Sequence, residues 1–491
     1  MVQLITNVPQ YENDIAEEIR LFWGAVEIRP DAENPDAVMT VTLDEANRLA
    51  SGTLNGAAAS FEVMPDGGDM LERKRQQKRA VKRVAYALLQ QVCPTEMPWG
   101  SLTGIRPTKL LRELSERYGE AEAVRQFTEV FSVELPKLRL AATINAVQKP
   151  YIESVGPRDL DVYIGIPYCK TRCLYCSFGA EIARGASVEG YLVPLFDDIA
   201  RGGRLLCDGG WTLRTTYFGG GTPTVLNAEQ LDRLLTHTET VYGGLGSECT
   251  VEAGRPDTIT REKLEVLKRH GVGRISINPQ TMNDETLRRI GRAHTAAEIG
   301  ESFALARSVG FDSINMDLIA GLPGETVSDF ARTLEAIEAL RPDNLTVHTL
   351  AIKRSSRLRE QLDKYPLPSK AEVTEMIDMG FASAKRMGLW PYYMYRQKYQ
   401  NGNLENVGYA GRDKVCVYNI DMMEETTSIL AHGANAMTKR IFDAERRVER
   451  IAAPKDVPTY TEKLPVLDAQ KRRLFSEDAP SHAENAPQAN P

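Results

Sequence analysis

No apolar run in the 491 residues approaches the ~20 that a membrane-spanning helix needs. The opening Met1-Val-Gln-Leu-Ile-Thr-Asn7 lacks the basic stretch and apolar core of a secretory signal. Cysteine is scarce: there are seven, an odd number, which argues against a disulfide framework and for a reducing compartment. We therefore expect a cytoplasmic protein without a membrane span. Excess positive charge is also missing, with 60 Lys+Arg against 67 Asp+Glu and a net charge of −7. That argues against a general nucleic-acid binder and leaves room only for a local basic pocket. The six histidines are unclustered, so packing or hydrogen bonding is the expectation for His294, His348 and His432. At 42% hydrophobic and 26% charged, the composition is that of a globular chain and excludes global disorder. The length allows about two to four domains.

Residues 1–150 read as an α/β accessory region. Ala37-Val-Met-Thr-Val-Thr-Leu43 alternates as a strand does, and Leu71–Val92 has apolar residues at helical spacing. Its basic stretch, Arg73–Arg83, reads as a solvated helix face. Pro98–Lys109 reads as a loop. From about 155 to 355 a rhythm begins. Short β-rich runs start near Asp161, Thr215, Cys249, Arg274, Ser313 and Leu345. Helical spacing separates them over Tyr191–Leu206, Ala228–Tyr242, Arg261–His270, Asp284–Val309 and Val327–Leu340. Asn227 followed by Gln230 forms a variant capping box. Six strands alternating with helices predict an α/β fold with parallel strands and right-handed crossovers, and six units fall short of a closed eightfold barrel. The expectation is a partial (βα)6 barrel with its site at the carboxyl ends of the strands. Residues 356–455 form a C-terminal α+β extension expected to cover that site, and 456–491 is expected to be a disordered tail.

Three cysteines fall within eight residues, in Tyr163-Ile-Gly-Ile-Pro-Tyr-Cys169-Lys-Thr-Arg-Cys173-Leu-Tyr-Cys176-Ser-Phe178. They follow the first strand, where such a barrel places its chemistry. Soft thiolates suit zinc or an iron–sulfur cluster. Structural zinc commonly takes four ligands in two separated pairs, and no second pair is present. Three thiolates on a four-iron cluster leave one iron open for chemistry, so spacing and placement favour the cluster, with zinc as the alternative. Cys93, Cys207, Cys249 and Cys416 are expected to be small buried residues.

The Cys-x3-Cys-x2-Cys spacing with an aromatic before the last cysteine resembles the signature of the radical S-adenosylmethionine (radical SAM) enzymes. The longer run resembles the oxygen-independent coproporphyrinogen III oxidase family. Phe218-Gly-Gly-Gly-Thr-Pro-Thr224 is similar to its glycine motif, and Glu252, Gln280, Arg292 and Asp317-Leu-Ile-Ala-Gly-Leu-Pro-Gly324 fall in family order. Four further stretches resemble the HemZ-like coproporphyrinogen dehydrogenase branch. They are Leu102–Lys109, Val251-Glu-Ala-Gly-Arg-Pro-Asp257, Tyr393–Lys398 and Gly402–Tyr409.

The resemblance implies a radical SAM barrel with a 4Fe–4S cluster and S-adenosyl-L-methionine (SAM) as cofactors. It implies that Cys169, Cys173 and Cys176 are the cluster ligands. Tyr163, Tyr175, Gly220, Gly221, Thr222, Glu252, Gln280, Arg292, Asp317 and Ala351 are carried over as SAM contacts. At the glycine loop the missing Cβ atoms would let the backbone approach a ligand and offer N–H groups. The implied reaction decarboxylates two propionates of coproporphyrinogen III to vinyls, giving protoporphyrinogen IX, through a 5′-deoxyadenosyl radical. The implied partners are a tetrapyrrole substrate and a reduced flavodoxin- or ferredoxin-type electron donor. Arg106, Lys109, Lys353, Arg354, Arg396 and Lys398 are candidates for the substrate carboxylates. Two positions depart from the oxidase pattern: Gly165 stands where it has His, and Phe178 where it has a further Cys. Two other readings share the radical SAM body. One is a haem chaperone or haem-binding protein, whose His-Asn-x-x-Tyr-Trp motif is missing here. The other is an anaerobic haem-degrading methyltransferase.

Overall fold

The computed structural model describes residues 1–24, 26–353, 355–397, 404–442 and 447–476. Its chain separates into two compact units, one built from Met1–Thr143 with a few residues around Arg396, the other from most of the chain after Ile144. The boundary falls at 143 rather than 150, inside the helix Leu135–Glu153.

The first unit is α/β, as expected. Its strands are β1 (Val2–Thr6), β2 (Ile28–Arg29), β3 (Ala37–Asp44), β4 (Leu49–Leu54) and β5 (Ala57–Glu62), in the order β2-β1-β3-β4-β5. Along β3 the alternate residues Ala37, Met39, Val41 and Leu43 are buried, which is the period-2 pattern of a half-covered sheet. The helix Met70–Val92 is capped by the Asp69 carboxylate, which accepts from the Leu71 and Glu72 amides. Its Val81, Val84, Ala85, Leu88 and Leu89 join the core of the sheet.

In the second unit the six expected strands are all present. They are β6 (Asp159–Ile166), β9 (Thr212–Gly220), β10 (Glu248–Glu252), β11 (Arg274–Ser276), β12 (Ile314–Ala320) and β13 (Asn344–Thr349), with β7 (Tyr168–Cys169) and β8 (Glu181–Ile182) as a small pair after β6. The six pair in parallel in the order β13-β12-β11-β10-β9-β6. Their near-continuous burial matches a parallel sheet covered on both faces. The helices Ala228–Tyr242 and Val327–Leu340 have the expected bounds, and the box at Asn227 and Gln230 caps the first of them. The expected helix over 284–309 is two helices, Asp284–Arg289 and Ala296–Val309, because Gly291 takes a positive φ and Thr295 starts a new capping box.

The C-terminal region extends both edges of the same sheet. At one edge β14 (Trp390–Tyr395) and β15 (Asn406–Ala410) join antiparallel to β13. At the other, β16 (Ser428–His432) lies parallel to β6 and is followed by β17 (Met437–Phe442) and β18 (Arg447–Ala452). The parallel set therefore has seven strands, not six. The seventh reads Ser-Ile-Leu-Ala-His and is buried at every position, so it shows no alternation.

The tail expected from 456 is also corrected, because Val457–Ser476 is a helix. Tyr460, Leu464, Leu467, Leu474 and Phe475 are buried, and a buried ionic network fastens the helix to the barrel. Lys471 Nζ donates to Asp198 Oδ1 at 2.8 Å and to the Ala431 carbonyl at 2.8 Å, and Tyr460 donates to Asp198 Oδ2 at 2.8 Å. His432 Nδ1 stands 3.0 Å from Asp198, and the other ring nitrogen meets Tyr242 Oη at 2.6 Å. Residues 477–491 lie outside the described residues. No helix among the described residues is long and apolar enough to cross a membrane. Cys249 and Cys416 are buried as expected, but Cys207 is exposed and Cys93 is intermediate.

Candidate cluster and cofactor site

The three cysteines lie on a loop folded back on itself. β7 pairs with β8, the Ala183 amide donates to the Cys169 carbonyl at 2.9 Å, and the Glu181 amide donates to Pro167 at 2.8 Å. Leu174 anchors the loop in a cluster with Ile290, Ile319, Leu322, Leu350 and Leu358. Its amide donates to Ile290 and its carbonyl accepts from Leu358, each at 2.9 Å. The loop is thus held between the segments that follow β11 and β13.

Cys173 is buried, while Cys169 and Cys176 are of intermediate exposure. Burial pushes the Cys169 and Cys176 thiols up, and the Cys173 thiol raises both further. Thr222 Oγ1 lies 3.5 Å from Cys169 Sγ, and the Phe178 amide faces Cys176; both oppose the rise. Three thiols on one loop are soft ligands that suit an iron–sulfur cluster.

The strand ends form a polar shelf. Glu252, last in β10, accepts from Tyr217 Oη at 2.7 Å; burial raises its carboxyl to about 7, with Asp317 adding to the rise. Asp317 in β12 is opposed by burial but held down by His348, 3.8 Å away, and by Asn315, which donates at 2.8 Å. Gln280 has φ +68°, bridges to Leu318, and leaves Oε1 buried without a partner. Arg292 is buried, donates Nη1 to the Asn278 carbonyl, and has an unpartnered Nε. Burial pulls its guanidinium down, but Tyr175 and Cys173 beside it more than offset this, so the net shift is upward. Buried polar atoms without partners, here Gln280 Oε1, Arg292 Nε and Asn278 Oδ1, are what a site built around a polar ligand leaves in the free chain. Ala351 follows β13 at intermediate exposure.

The glycine loop corrects one expectation. Its amides are already used: Gly220 faces Glu252, Gly221 donates to Ile166, and Thr222 donates to Tyr168, the last two at 2.8 Å. The loop therefore offers close approach and not free N–H groups. Gly220 has φ +108°, and a Cβ on Gly221 would stand 2.4 Å from the Tyr168 carbonyl oxygen. Tyr163 stacks on Tyr217 at 6.2 Å and 14°, and Tyr418 from the C-terminal region stacks on Tyr217 at 4.6 Å and 23°. At Gly165 a Cβ would lie 3.3 Å from the Tyr163 ring and 3.4 Å from the His432 carbonyl oxygen, so a histidine there would need its neighbours to move.

Sequence reasoning assigned no role to Arg255 and Asp257, although both lie in a stretch singled out for its resemblance. Arg255 forks onto Asp257 through Nε and Nη2 at 3.0 and 3.2 Å. Its Nη1 donates to Thr171 Oγ1 at 2.7 Å and to the Thr171 carbonyl at 3.1 Å. Lys170 donates to the Asp257 carbonyl at 3.0 Å, and Thr171 donates to Gly291 at 2.9 Å. A buried guanidinium thus locks the turn between Cys169 and Cys173. The sequence signal was an Arg-x-Asp spacing just beyond the third strand. His294 completes this corner, fully buried and 3.6 Å from Asp257, with both ring nitrogens lacking a hydrogen bond.

The substrate candidates separate. Lys353 belongs to the second unit, and burial lowers its ammonium. Arg106, Lys109 and Arg396 belong to the first. Lys109 is 3.7 Å from Glu113 on its own helix. Arg396 is 3% exposed, donates to the Leu102 carbonyl and lies 5.4 Å over the Trp99 ring, so it is committed to structure and not presented to a ligand. Arg354 and Lys398 lie outside the described residues.

The chain is similar to known proteins along most of its length. A family model described as the Radical SAM superfamily matches residues 163–337. The chain is 38% identical over 457 residues to a Bacillus subtilis (strain 168) protein named oxygen-independent coproporphyrinogen-III oxidase-like protein HemZ, covering 90% of this chain and 91% of that one. It is 32% identical over 234 residues to the heme chaperone HemW of the same organism, covering 47% and 61%. The solved structure of Escherichia coli coproporphyrinogen III oxidase (HemN) aligns with a TM-score of 0.52 at 24% identity, covering 66% of this chain and 73% of that one. That last likeness is one of fold.

Proposed function

Because the chain belongs to the radical SAM superfamily and, within it, to the oxygen-independent coproporphyrinogen-III oxidase-like proteins, we propose that it decarboxylates two propionates of coproporphyrinogen III to vinyls without oxygen, giving protoporphyrinogen IX. The observation that carries this reading is likeness over 90% of the chain to a relative named as a coproporphyrinogen-III oxidase-like protein. When bound, the 4Fe–4S cluster and SAM of this superfamily supply reductive cleavage of the sulfonium and a 5′-deoxyadenosyl radical that removes a hydrogen atom.

The chain's own residues hold and shield those groups. Cys169, Cys173 and Cys176 ligate the cluster, and the Thr222 hydroxyl and the Phe178 amide stabilise two of the thiolates. Arg292, whose Nε is buried without a partner, would donate to the SAM carboxylate. Glu252, Asp317 and Gln280 would accept from the hydroxyl and amino groups of SAM, and Tyr163, Tyr175 and Ala351 would lie beside it. Gly220 and Gly221 let the methionyl end lie close to the backbone. Lys353, whose ammonium is already partly desolvated, receives a propionate. A reduced flavodoxin- or ferredoxin-type protein supplies the electron for SAM cleavage, and an external acceptor takes the electron that each propionate gives up, after hydrogen-atom removal, as carbon dioxide leaves and the vinyl forms.

The test is anaerobic incubation of the reconstituted protein with SAM, reductant and coproporphyrinogen. Protoporphyrinogen is expected, and Cys173→Ala abolishes it. SAM cleavage without decarboxylation would refute the reading. The likeness to a heme chaperone over 47% of the chain supports a second reading, in which stoichiometric haem binding without SAM turnover is the outcome.

A further inference from the structure

Lys263 lies in the first turn of the helix Arg261–Arg269 and turns its ammonium onto two backbone carbonyls. Nζ donates to Thr224 at 2.6 Å and to Thr258 at 2.9 Å. Two terms work against a cation here. Burial lowers the ammonium and Lys170 lowers it further, and the first turn of a helix is the positive end of the backbone dipole. Charge-assisted bonds to two carbonyls offset those costs.

The two carbonyls belong to different parts of the site. Thr224 ends the glycine loop, and Thr258 ends the turn that follows β10. The two threonine hydroxyls stand 2.7 Å apart. Each also lies beside a carbonyl of that turn, Thr224 Oγ1 at 3.3 Å from Ala253 and Thr258 Oγ1 at 2.8 Å from Arg255. The other side of the same turn holds the cysteine loop, through Arg255 on Thr171 and Lys170 on the Asp257 carbonyl. Residues 253–258 therefore join the two loops. Three glycines bring no side chains to pack, so the polar fasteners at the end of the glycine loop decide where it lies.

We propose that Lys263 is a positioning residue for SAM: it fixes the glycine loop against the turn that also holds the cysteine loop. The proposal rests on the reading that the glycine loop receives the methionyl end of SAM. Lysine suits the task because three donors on one flexible stem can serve carbonyls from two segments at once.

The experiment compares oxidised holoprotein carrying Lys263→Met, Lys263→Arg or Thr258→Val with wild type. It measures iron per chain, SAM affinity by equilibrium dialysis, and the electron paramagnetic resonance spectrum of the reduced cluster with and without SAM. Lys263→Met keeps most of the stem and removes the donors, and is expected to weaken SAM binding about tenfold. Iron stays at about four per chain, and the spectrum without SAM is unchanged. Lys263→Arg, which restores a charged donor, is expected to bind SAM within about threefold of wild type. Thr258→Val leaves the lysine in place and is expected to weaken binding about threefold; it carries the test if Lys263→Met fails to fold. Unchanged SAM affinity in the variants would overturn the proposal. So would a loss of iron that matches the loss of SAM binding, which would make Lys263 a brace of the fold at large. If wild type binds no SAM, the reading of the glycine loop has failed, and faster hydrogen exchange of the Gly221 and Thr222 amides in Lys263→Met still decides whether the lysine holds that loop.

Discussion

At the scale of single residues, the site is set by which polar groups are buried and which remain unpaired. Glu252 is the clearest case. Burial and the nearby Asp317 carry its carboxyl to about 7, even though Tyr217 donates to it. A ribose hydroxyl is accepted best by the ionised form, so SAM binding should strengthen as pH rises through 7. We expect affinity to be about tenfold weaker at pH 6 than at pH 8, measured by equilibrium dialysis. Glu252→Gln should flatten that profile. The same shift costs stability, because a carboxyl raised above its unfolded value disfavours the native state increasingly as pH rises between the two values. Arg255 supplies the second prediction. Its fork onto Asp257 and its bonds to Thr171 are geometry that lysine cannot reproduce. Both Arg255→Ala and Arg255→Lys should therefore lower reconstituted iron from about four per chain to less than half, with circular dichroism unchanged. Cys169, Cys173 and Cys176 were legible because their spacing is chemistry that survives without a structure. Arg255 was not, because its role depends on a turn 84 residues away in sequence.

At the scale of elements, the seam between β6 and β16 and the helix Val457–Ser476 carry the closure of the barrel edge. Lys471 and Asp198 are both buried, and removing one partner of such a pair leaves an uncompensated charge. Lys471→Met should cost about 3–5 kcal/mol, read from denaturant unfolding, and should expose the helix to proteolysis first. The Asp198 carboxyl is penalised by burial but held far below its usual range by Lys471 and His432. Its stabilising contribution is present above the unfolded carboxyl pKa and is lost only as pH falls through the depressed native value. The glycine loop gives a second element-scale outcome. Gly221→Ala pushes a methyl into the Tyr168 backbone, and we expect ~1–3 kcal/mol of destabilisation together with loss of SAM binding. The six alternating βα units could be read from sequence because each strand is followed by a helix with clear 3.6-residue spacing. The seventh strand could not, since Ser428–His432 is buried on both faces and pairs with β6, more than 260 residues earlier. The helix Val457–Ser476 is hard to read from sequence because two of its buried contacts, through Tyr460 and Lys471, are polar and find their partner, Asp198, only in the barrel.

At the scale of the whole molecule, a parallel sheet supplies a row of strand ends, and residues distant in sequence converge there on one side of a thiol-bearing loop. The C-terminal region belongs to that sheet at both edges, and Tyr418 from it completes the aromatic stack on Tyr217. Of the cations first considered for the substrate, Arg396 is committed to Leu102 and Trp99, which leaves Lys353 as the barrel's own described candidate. Lys353→Ala should raise KM for the tetrapyrrole while leaving SAM affinity unchanged. The central claim is that radical SAM chemistry here is directed to propionate decarboxylation. It is tested most directly by counting products in one anaerobic reaction: 5′-deoxyadenosine, carbon dioxide and protoporphyrinogen. Two 5′-deoxyadenosines and two carbon dioxides are expected for each protoporphyrinogen formed. Haem bound without 5′-deoxyadenosine, or a methyl group moved from SAM to the porphyrin, would contradict it.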